Sequence, residues 1–259
     1  MSHSKLPVPF IKVLGVRVNP VGMSDVLQLM EHWIKERDSY HYVVATGIHG
    51  VMEARSHPDF RNIVDSAALL VPDGYPLVWM ARRRGFRLNR RVCGTDLLWE
   101  FSRLAEQKGY RVFLYGDTDD TLQKLTRRLK ESFPHLQIAG CHSPPFRTLT
   151  PEEKAQEVGM INESAADVVW VGLGLPKQER WMSEHKDELN VPVVVGVGAA
   201  FKFLSGKVNR APNWIGDRGF EWLWRLLHEP RRVWRRVLWD GPRFAGHLAL
   251  ELSGLKKYE

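Results

Sequence analysis

Five short apolar runs that close on glycine recur along the first 200 residues: YVVATG at 42–47, ALLVPDG at 68–74, RVFLYG at 111–116, DVVWVGLG at 167–174 and VPVVVGVG at 191–198. Consecutive apolar positions mean that both faces of such a strand are buried, which a half-solvated antiparallel strand does not allow. Helix-length stretches lie between the runs. Val26, Leu27, Met30 and Ile34 form a 3.6-period stripe after Ser24. Thr95 or Asp96 opens a helix that reaches Lys108 and closes on Gly109, and Thr118 or Asp119 opens one that reaches Ser132. Thr150-Pro151-Glu152-Glu153 is a capping box whose helix runs to Glu163, and Pro176 starts a helix predicted to reach Leu189. Alternating strands and helices predict an α/β chain: a Rossmann-like, mostly parallel sheet with helices on both faces. Residues 137–141 add a further strand, and residues 11–21 a short strand pair or an edge strand. Ligands of such sheets bind outside the carboxyl ends of the strands. That rule selects Thr46-Gly47, Asp73-Gly74, Gly116-Asp117, Gly172 to Gly174 and Gly196 to Gly198.

The core is expected to span residues 1–208, and the character of the chain changes after it. Residues 209–236 place Trp214, Trp222, Trp224 and Trp234 among Arg210, Arg218, Arg225, Arg231, Arg232, Arg235 and Arg236. Guanidinium groups grip phosphate through a planar fork, and indoles favour an interfacial surface. Residues 220–227 read as an apolar helix and residues 231–239 as a second one, greasy on one side and cationic on the other. Residues 209–259 are therefore expected to form a C-terminal amphipathic helical appendage. A net charge of +7 favours anionic partners. Residues 1–10 do not read as a secretory signal, and no run is apolar over a bilayer's width. Cys93 and Cys141 are too few for a disulfide framework, so both are expected to be reduced and buried, in a cytoplasmic setting.

Several residues could carry chemistry. Asp73, between Pro72 and Gly74 at a strand end, could act as a general base, although Pro-Asp-Gly is also simply a good turn. Pro176-Lys177-Gln178-Glu179 follows Gly172-x-Gly174, where a helix N-terminus helped by Lys177 could hold phosphate and Gln178 could orient a hydroxyl. An ordinary helix start fits those residues equally well. Arg82, Arg83, Arg84, Arg87, Arg90 and Arg91 read as a solvated helix end, and His49 as a structural histidine. No spacing of His, Cys and Asp matches a metal site, and neither a Walker loop nor a Gly-x-Ser-x-Gly turn is present.

Taken in order, these pieces resemble the WecG/TagA/CpsF glycosyltransferase family. The resemblance covers roughly residues 46–236. It rests on Thr46, Pro72-Asp73-Gly74, Arg91-Val92-x-Gly94-Thr95-Asp96, Leu114-x-Gly116, Val171-Gly172-Leu173-Gly174-x-Pro176-Lys177-Gln178-Glu179 and Gly196-Val197-Gly198. Its later landmarks are Arg210-Ala211-Pro212, Glu221-Trp222-x-x-Arg225 and Glu229-Pro230-x-Arg232-x-x-Arg235. The resemblance implies inverting transfer of a sugar from a UDP-sugar donor to a polyprenyl-diphosphate-linked acceptor, without a cofactor or metal. The sugar would be of N-acetylmannosamine type, its uronic acid or a hexose, and the product a cell-surface polysaccharide or teichoic-acid-type polymer.

The same resemblance makes Asp73 the base, with Thr46 and Gln178 lining the site and Arg225, Arg232 and Arg235 closing over it. Gly116, Gly172, Gly174, Lys177, Gly198, Lys202 and Arg210 are the donor-binding set that it implies. The appendage would also meet an anionic membrane surface, placing the protein peripherally on the inner face of the plasma membrane; a homo-oligomer stays open. The family usually carries Asn where this chain has Ile48, and Asp where it has Lys202. Two other readings therefore stand beside the enzyme: a catalytically altered nucleotide-sugar binder, and a nucleic-acid-binding protein that uses the basic, Trp-rich end. Against the latter, it leaves Asp73 and the strand-end glycines without a purpose.

Overall fold

A computed structural model of the chain describes residues 8–211, 213–216, 220–228, 233–234 and 236–258. A small antiparallel hairpin, β1 (Ile11–Val13) and β2 (Val16–Val18), precedes helix α1 (Met23–Glu36). The main sheet has six strands: β3 (His41–Thr46), β4 (Leu69–Pro72), β5 (Arg111–Gly116), β6 (Gln137–His142), β7 (Val168–Gly172) and β8 (Val193–Gly196). They are ordered β4-β3-β8-β7-β5-β6, and every pairing is parallel. The expected Rossmann-like parallel sheet is thus what the apolar runs build.

Alternate residues of each strand feed two apolar layers. Val44, Leu70, Val169, Val171 and Val194 pack on one face, Val43, Leu69, Trp170, Val193 and Val195 on the other. The first face is covered by α2 (Ile48–Ser56), α3 (Pro58–Asp65), α4 (Tyr75–Arg83), α7 (Pro151–Glu163) and α8 (Lys177–Glu184). The second is covered by α1, α5 (Gly94–Lys108), α6 (Asp119–Ser132) and α9 (Ala200–Leu204). Burial of these apolar side chains at about 25 cal/mol per Å² supplies most of the driving force.

Several helix ends follow the sequence cues, but α5 starts at Gly94 with Cys93 in the cap position rather than Thr95 or Asp96, and α1 starts at Met23 after Gly22, so Ser24 lies inside its first turn. Thr118 caps α6 by accepting from Thr121 N, Thr150 and Glu153 complete the capping box of α7, and Gly109 ends α5 at φ 74°. At the end of β5, Gly116 sits at φ 115°, where a Cβ would run into the Gly172 backbone. Its glycine therefore lets two strand ends approach closely. The eighth helix is shorter than expected: it stops at Glu184, and residues 185–188 turn over so that Leu189 and Val191 reach the core. One thiol also departs from expectation. Cys93 is buried, but Cys141 is exposed because β6 is the sheet's open edge.

After α9 come α10 (Asn213–Gly216), α11 (Glu221–His228), a wide π-helical turn (Arg236–Asp240) and α12 (Gly241–Leu252). The helix expected over residues 231–239 falls partly outside the described residues; its end is the π turn, which Pro242 in the first turn of α12 follows. Phe244 inserts into the first apolar layer. The Glu251 carboxylate accepts from Leu14 N at 3.1 Å and from Arg84 Nη2 at 3.2 Å. These contacts hold α12 against the hairpin and α4.

Candidate active site

The parallel register sets Thr46 beside Pro72, and Asp73 N donates to Thr46 O at 2.8 Å. The chain leaves the sheet at Asp73, so its carboxylate stands at the carboxyl edge of β4. It opens into a cavity of about 1310 Å³. The strand-end loops form the floor: Gly47, Gly172, Leu173, Gly174 and Gly198. The appendage forms the opposite wall with Glu221, Trp222, Arg225, Val233, Val237 and Leu238.

Asp73 lies deep in this cavity with 35% of its side chain open to it. Burial pushes its carboxyl up to about 6; Arg91 opposes that rise, and Glu221 and Asp96 add to it. Arg91 is 13% exposed and makes three contacts. Its Nη1 donates to the Asp73 carbonyl at 3.3 Å and lies 3.7 Å from the Asp73 carboxylate, while Nη2 donates to the Glu221 carboxylate. Nearby, Arg210 forks onto both oxygens of Asp96, with Nη2 at 2.7 Å from Oδ2, and also reaches Cys93 Sγ at 3.2 Å. Burial works to raise the Asp96 carboxyl, but the Arg210 fork outweighs it and holds the group below its usual range. Burial pushes the Cys93 thiol up, which keeps it protonated.

Gln178 is buried at 3% exposure, and its amide oxygen serves the backbone. The amide oxygen accepts from Gly174 N at 3.2 Å and Gly198 N at 2.9 Å, and Nε2 donates to Glu179 Oε1 at 2.8 Å. One side chain thereby clamps the β7 and β8 loops together. Lys177 starts α8 on the cavity rim. Lys202, on α9, faces the cavity with its Nζ 3.7 Å from Asp117 Oδ2, and Asp117 is held at φ 58°. The Arg225 guanidinium lies 5.6 Å from the centre of the Phe203 ring.

Of the residues singled out from the sequence, Asp73, Gln178, Arg225, Gly172, Gly174, Lys177, Gly198, Lys202 and Arg210 line this one cavity. Thr46 and Gly116 do not reach its wall. Thr46 is buried beneath α2 against Gly50, and Gly116 lies under the β7 end. Arg232 and Arg235 lie outside the described residues. Among the other cavity residues are Arg91 and Glu221, to which the sequence assigns no role in the site. Arg91 sat in a run of arginines that looked solvated, and Glu221 sat among tryptophans. The usable signal for Arg91 was its nearness to Gly94-Thr95-Asp96 rather than to Arg82 to Arg84. His49 bonds Asp240 Oδ2 at 2.6 Å, so it fastens the π turn to α2 as a structural residue would.

The outer surface of the appendage is unusually apolar. Phe220, Leu223, Leu227, Trp234 and Trp239 are all exposed. No helix among the described residues is long and apolar enough to cross a membrane. Among the described residues no cluster of three His, Cys, Asp or Glu side chains could hold a metal ion.

The sequence model of the Glycosyl transferase WecG/TagA/CpsF family matches residues 11–258. Among curated proteins, the chain is 33% identical over 190 residues to the N-acetylglucosaminyldiphosphoundecaprenol N-acetyl-beta-D-mannosaminyltransferase of Bacillus subtilis (strain 168), covering 72% of this chain and 70% of that one. The protein of the same name from Bacillus spizizenii is 34% identical over 186 residues, with 72% and 70% covered. That of Staphylococcus aureus (strain MW2) is 24% identical over 226 residues, with 87% of each chain covered.

Proposed function

The chain belongs to the WecG/TagA/CpsF glycosyltransferase family, and from that premise we propose that it transfers an N-acetylmannosamine-type sugar from a UDP-sugar to a polyprenyl-diphosphate-linked N-acetylglucosamine. The observation that carries this reading is the shared cavity: a carboxylate of raised basicity on the sheet faces Arg225 of the appendage across one space. The names of the Bacillus and Staphylococcus relatives supply the acceptor and the sugar.

In this reading Asp73 accepts the proton of the acceptor hydroxyl. The hydroxyl oxygen bonds to the anomeric carbon while the bond from that carbon to the β-phosphate oxygen breaks, and UDP departs. Attack from the face opposite the leaving group inverts the anomeric centre. Charge gathers on the β-phosphate as it leaves, and guanidinium groups held in place before the reaction stabilise it. Arg225 serves there, with Arg232 and Arg235 assigned to the same task by the family resemblance. Arg210, although forked onto Asp96, and Lys177 at the α8 N-terminus add positive potential. Gln178 and Thr46 act as positioning residues: one clamps the loops under the donor and the other supports the β3 end. Residues 1–208 carry the sheet side of the site and residues 209–259 the closing side.

The exposed aromatic and leucine side chains of α11 and the π turn suit a peripheral seat on an anionic membrane, where the lipid acceptor resides. A donor other than a UDP-N-acetylmannosamine type has two observations in its favour, Ile48 and Lys202 lining the cavity where the family usually carries Asn and Asp. The experiment is a transfer assay with purified protein, UDP-N-acetylmannosamine and a short-chain polyprenyl-diphosphate N-acetylglucosamine. Release of UDP coupled to a disaccharide-lipid product, lost in Asp73→Asn with nucleotide affinity kept, is the expected result. Transfer at an unchanged rate in Asp73→Asn would refute the assignment of the base.

A further inference from the structure

A carboxylate gripped at hydrogen-bond distance by arginine is a poor base, because the guanidinium holds its lone pairs and stabilises its charge. Asp73 has an arginine beside it and yet escapes that grip. Arg91 Nη1 stands 3.7 Å from Asp73 Oδ1, beyond hydrogen-bond reach, and spends its bond on the Asp73 carbonyl at 3.3 Å. What draws the guanidinium aside is Glu221, which accepts from Arg91 Nη2. Glu221 opens α11, one turn before Arg225 on the same helix. It belongs to the appendage, whereas Asp73 and Arg91 belong to the sheet side.

We propose that Glu221 is a positioning residue of the transfer site, which diverts Arg91 from Asp73 when α11 is docked and so leaves the Asp73 carboxylate free to take the acceptor's proton. This rests on the reading of Asp73 as the base. The charged and titratable groups facing Asp73 are Arg91 from the loop before α5, Cys93 and Asp96 at the start of α5, Arg210 from the segment after α9, and Glu221 from α11. Burial sets the raised basicity of Asp73; Arg210 and Asp96 are committed to each other and Cys93 stays protonated, so Arg91 and Glu221 are the charged pair left to adjust it. Docking α11 would thus bring in Arg225 for the leaving group and restore the base in the same movement.

The test compares wild type, Glu221→Gln and Glu221→Asp in the transfer assay across pH, with thermal melting as a check on folding. Glu221→Gln keeps the shape and removes the charge. Arg91 then turns to Asp73, the acid limb of the rate profile moves about one unit to lower pH, and the plateau turnover falls about threefold as the base weakens. Glu221→Asp, which keeps the charge, restores the limb towards wild type. A carbon-13 carboxyl titration of Asp73, assigned by comparison with Asp73→Asn, reads the same proton without needing turnover. Its midpoint should move down in Glu221→Gln. An unchanged midpoint and limb in a folded Glu221→Gln would overturn the proposal. Turnover surviving in Asp73→Asn would instead remove the reading on which it rests, while the carboxyl titration would still report whether Glu221 controls Asp73.

Discussion

Replacing Asp73 by Asn should abolish transfer and at the same time make the protein more stable at neutral pH. The folded protein raises this carboxyl from 3.8 to about 6. At about 1.4 kcal/mol per unit, a rise of that size corresponds to roughly 3 kcal/mol against the ionised form. About a third of the side chain meets cavity solvent, which screens the charge, so roughly 1–2 kcal/mol is the expected net burden. The sign follows from linkage. A carboxyl whose folded value lies above its unfolded one destabilises the fold once ionised, fully above pH about 6, about half as much near pH 5 and hardly at all near pH 4. Asn carries no charge at any of these pH values. Thermal melting at pH 8 should therefore show Asp73→Asn higher by roughly 2–8 °C. The gap should shrink as pH falls to 5 and nearly close at pH 4. A variant that melts below wild type at pH 8, or a gap that ignores pH, would refute the claim that Asp73 is a charge held at the fold's expense.

Other outcomes follow from the same geometry. Arg225→Ala should lower turnover about 10²–10³-fold with little change in folding, because a preorganised donor to the leaving group is lost; stopped-flow transfer assays would measure it. Gln178→Ala should weaken donor binding and lower the melting temperature, since it leaves two half-buried backbone N–H groups, those of Gly174 and Gly198, without their acceptor. A chain ended at Val208 should keep its sheet by circular dichroism yet lose transfer, and full rate in that truncation would remove the appendage from the mechanism. Sedimentation with anionic vesicles should fall in a Trp234→Ala, Trp239→Ala double variant, whose side chains are exposed, and should weaken with added salt.

The sheet was legible because runs such as DVVWVG at 167–172 can be buried only on two faces. The strand-end rule places Asp73, Gly174 and Gly198 at one edge of such a sheet. Arg91 was not legible, because an arginine in a run of arginines has the same local signature whether it faces water or a buried carboxylate. Only the fold brings Asp73 and Glu221, from the two sides of the cavity, onto its two ends. Gln178 was seen as a polar residue at a helix start, but its two loop contacts depend on β7 and β8 lying side by side. Cys141 was misplaced for a similar reason: an edge strand and a central strand read alike when the run is short.

The proposed mechanism requires a carboxylate of the sheet and guanidiniums of the appendage to meet at one diphosphate. The most direct measurement is the crystal structure of the protein with UDP bound. The β-phosphate should lie within hydrogen-bond distance of Arg225, with the Asp73 carboxylate facing the same side of the ligand. A diphosphate seated where Asp73 and Arg225 cannot both reach the reacting carbon would contradict it.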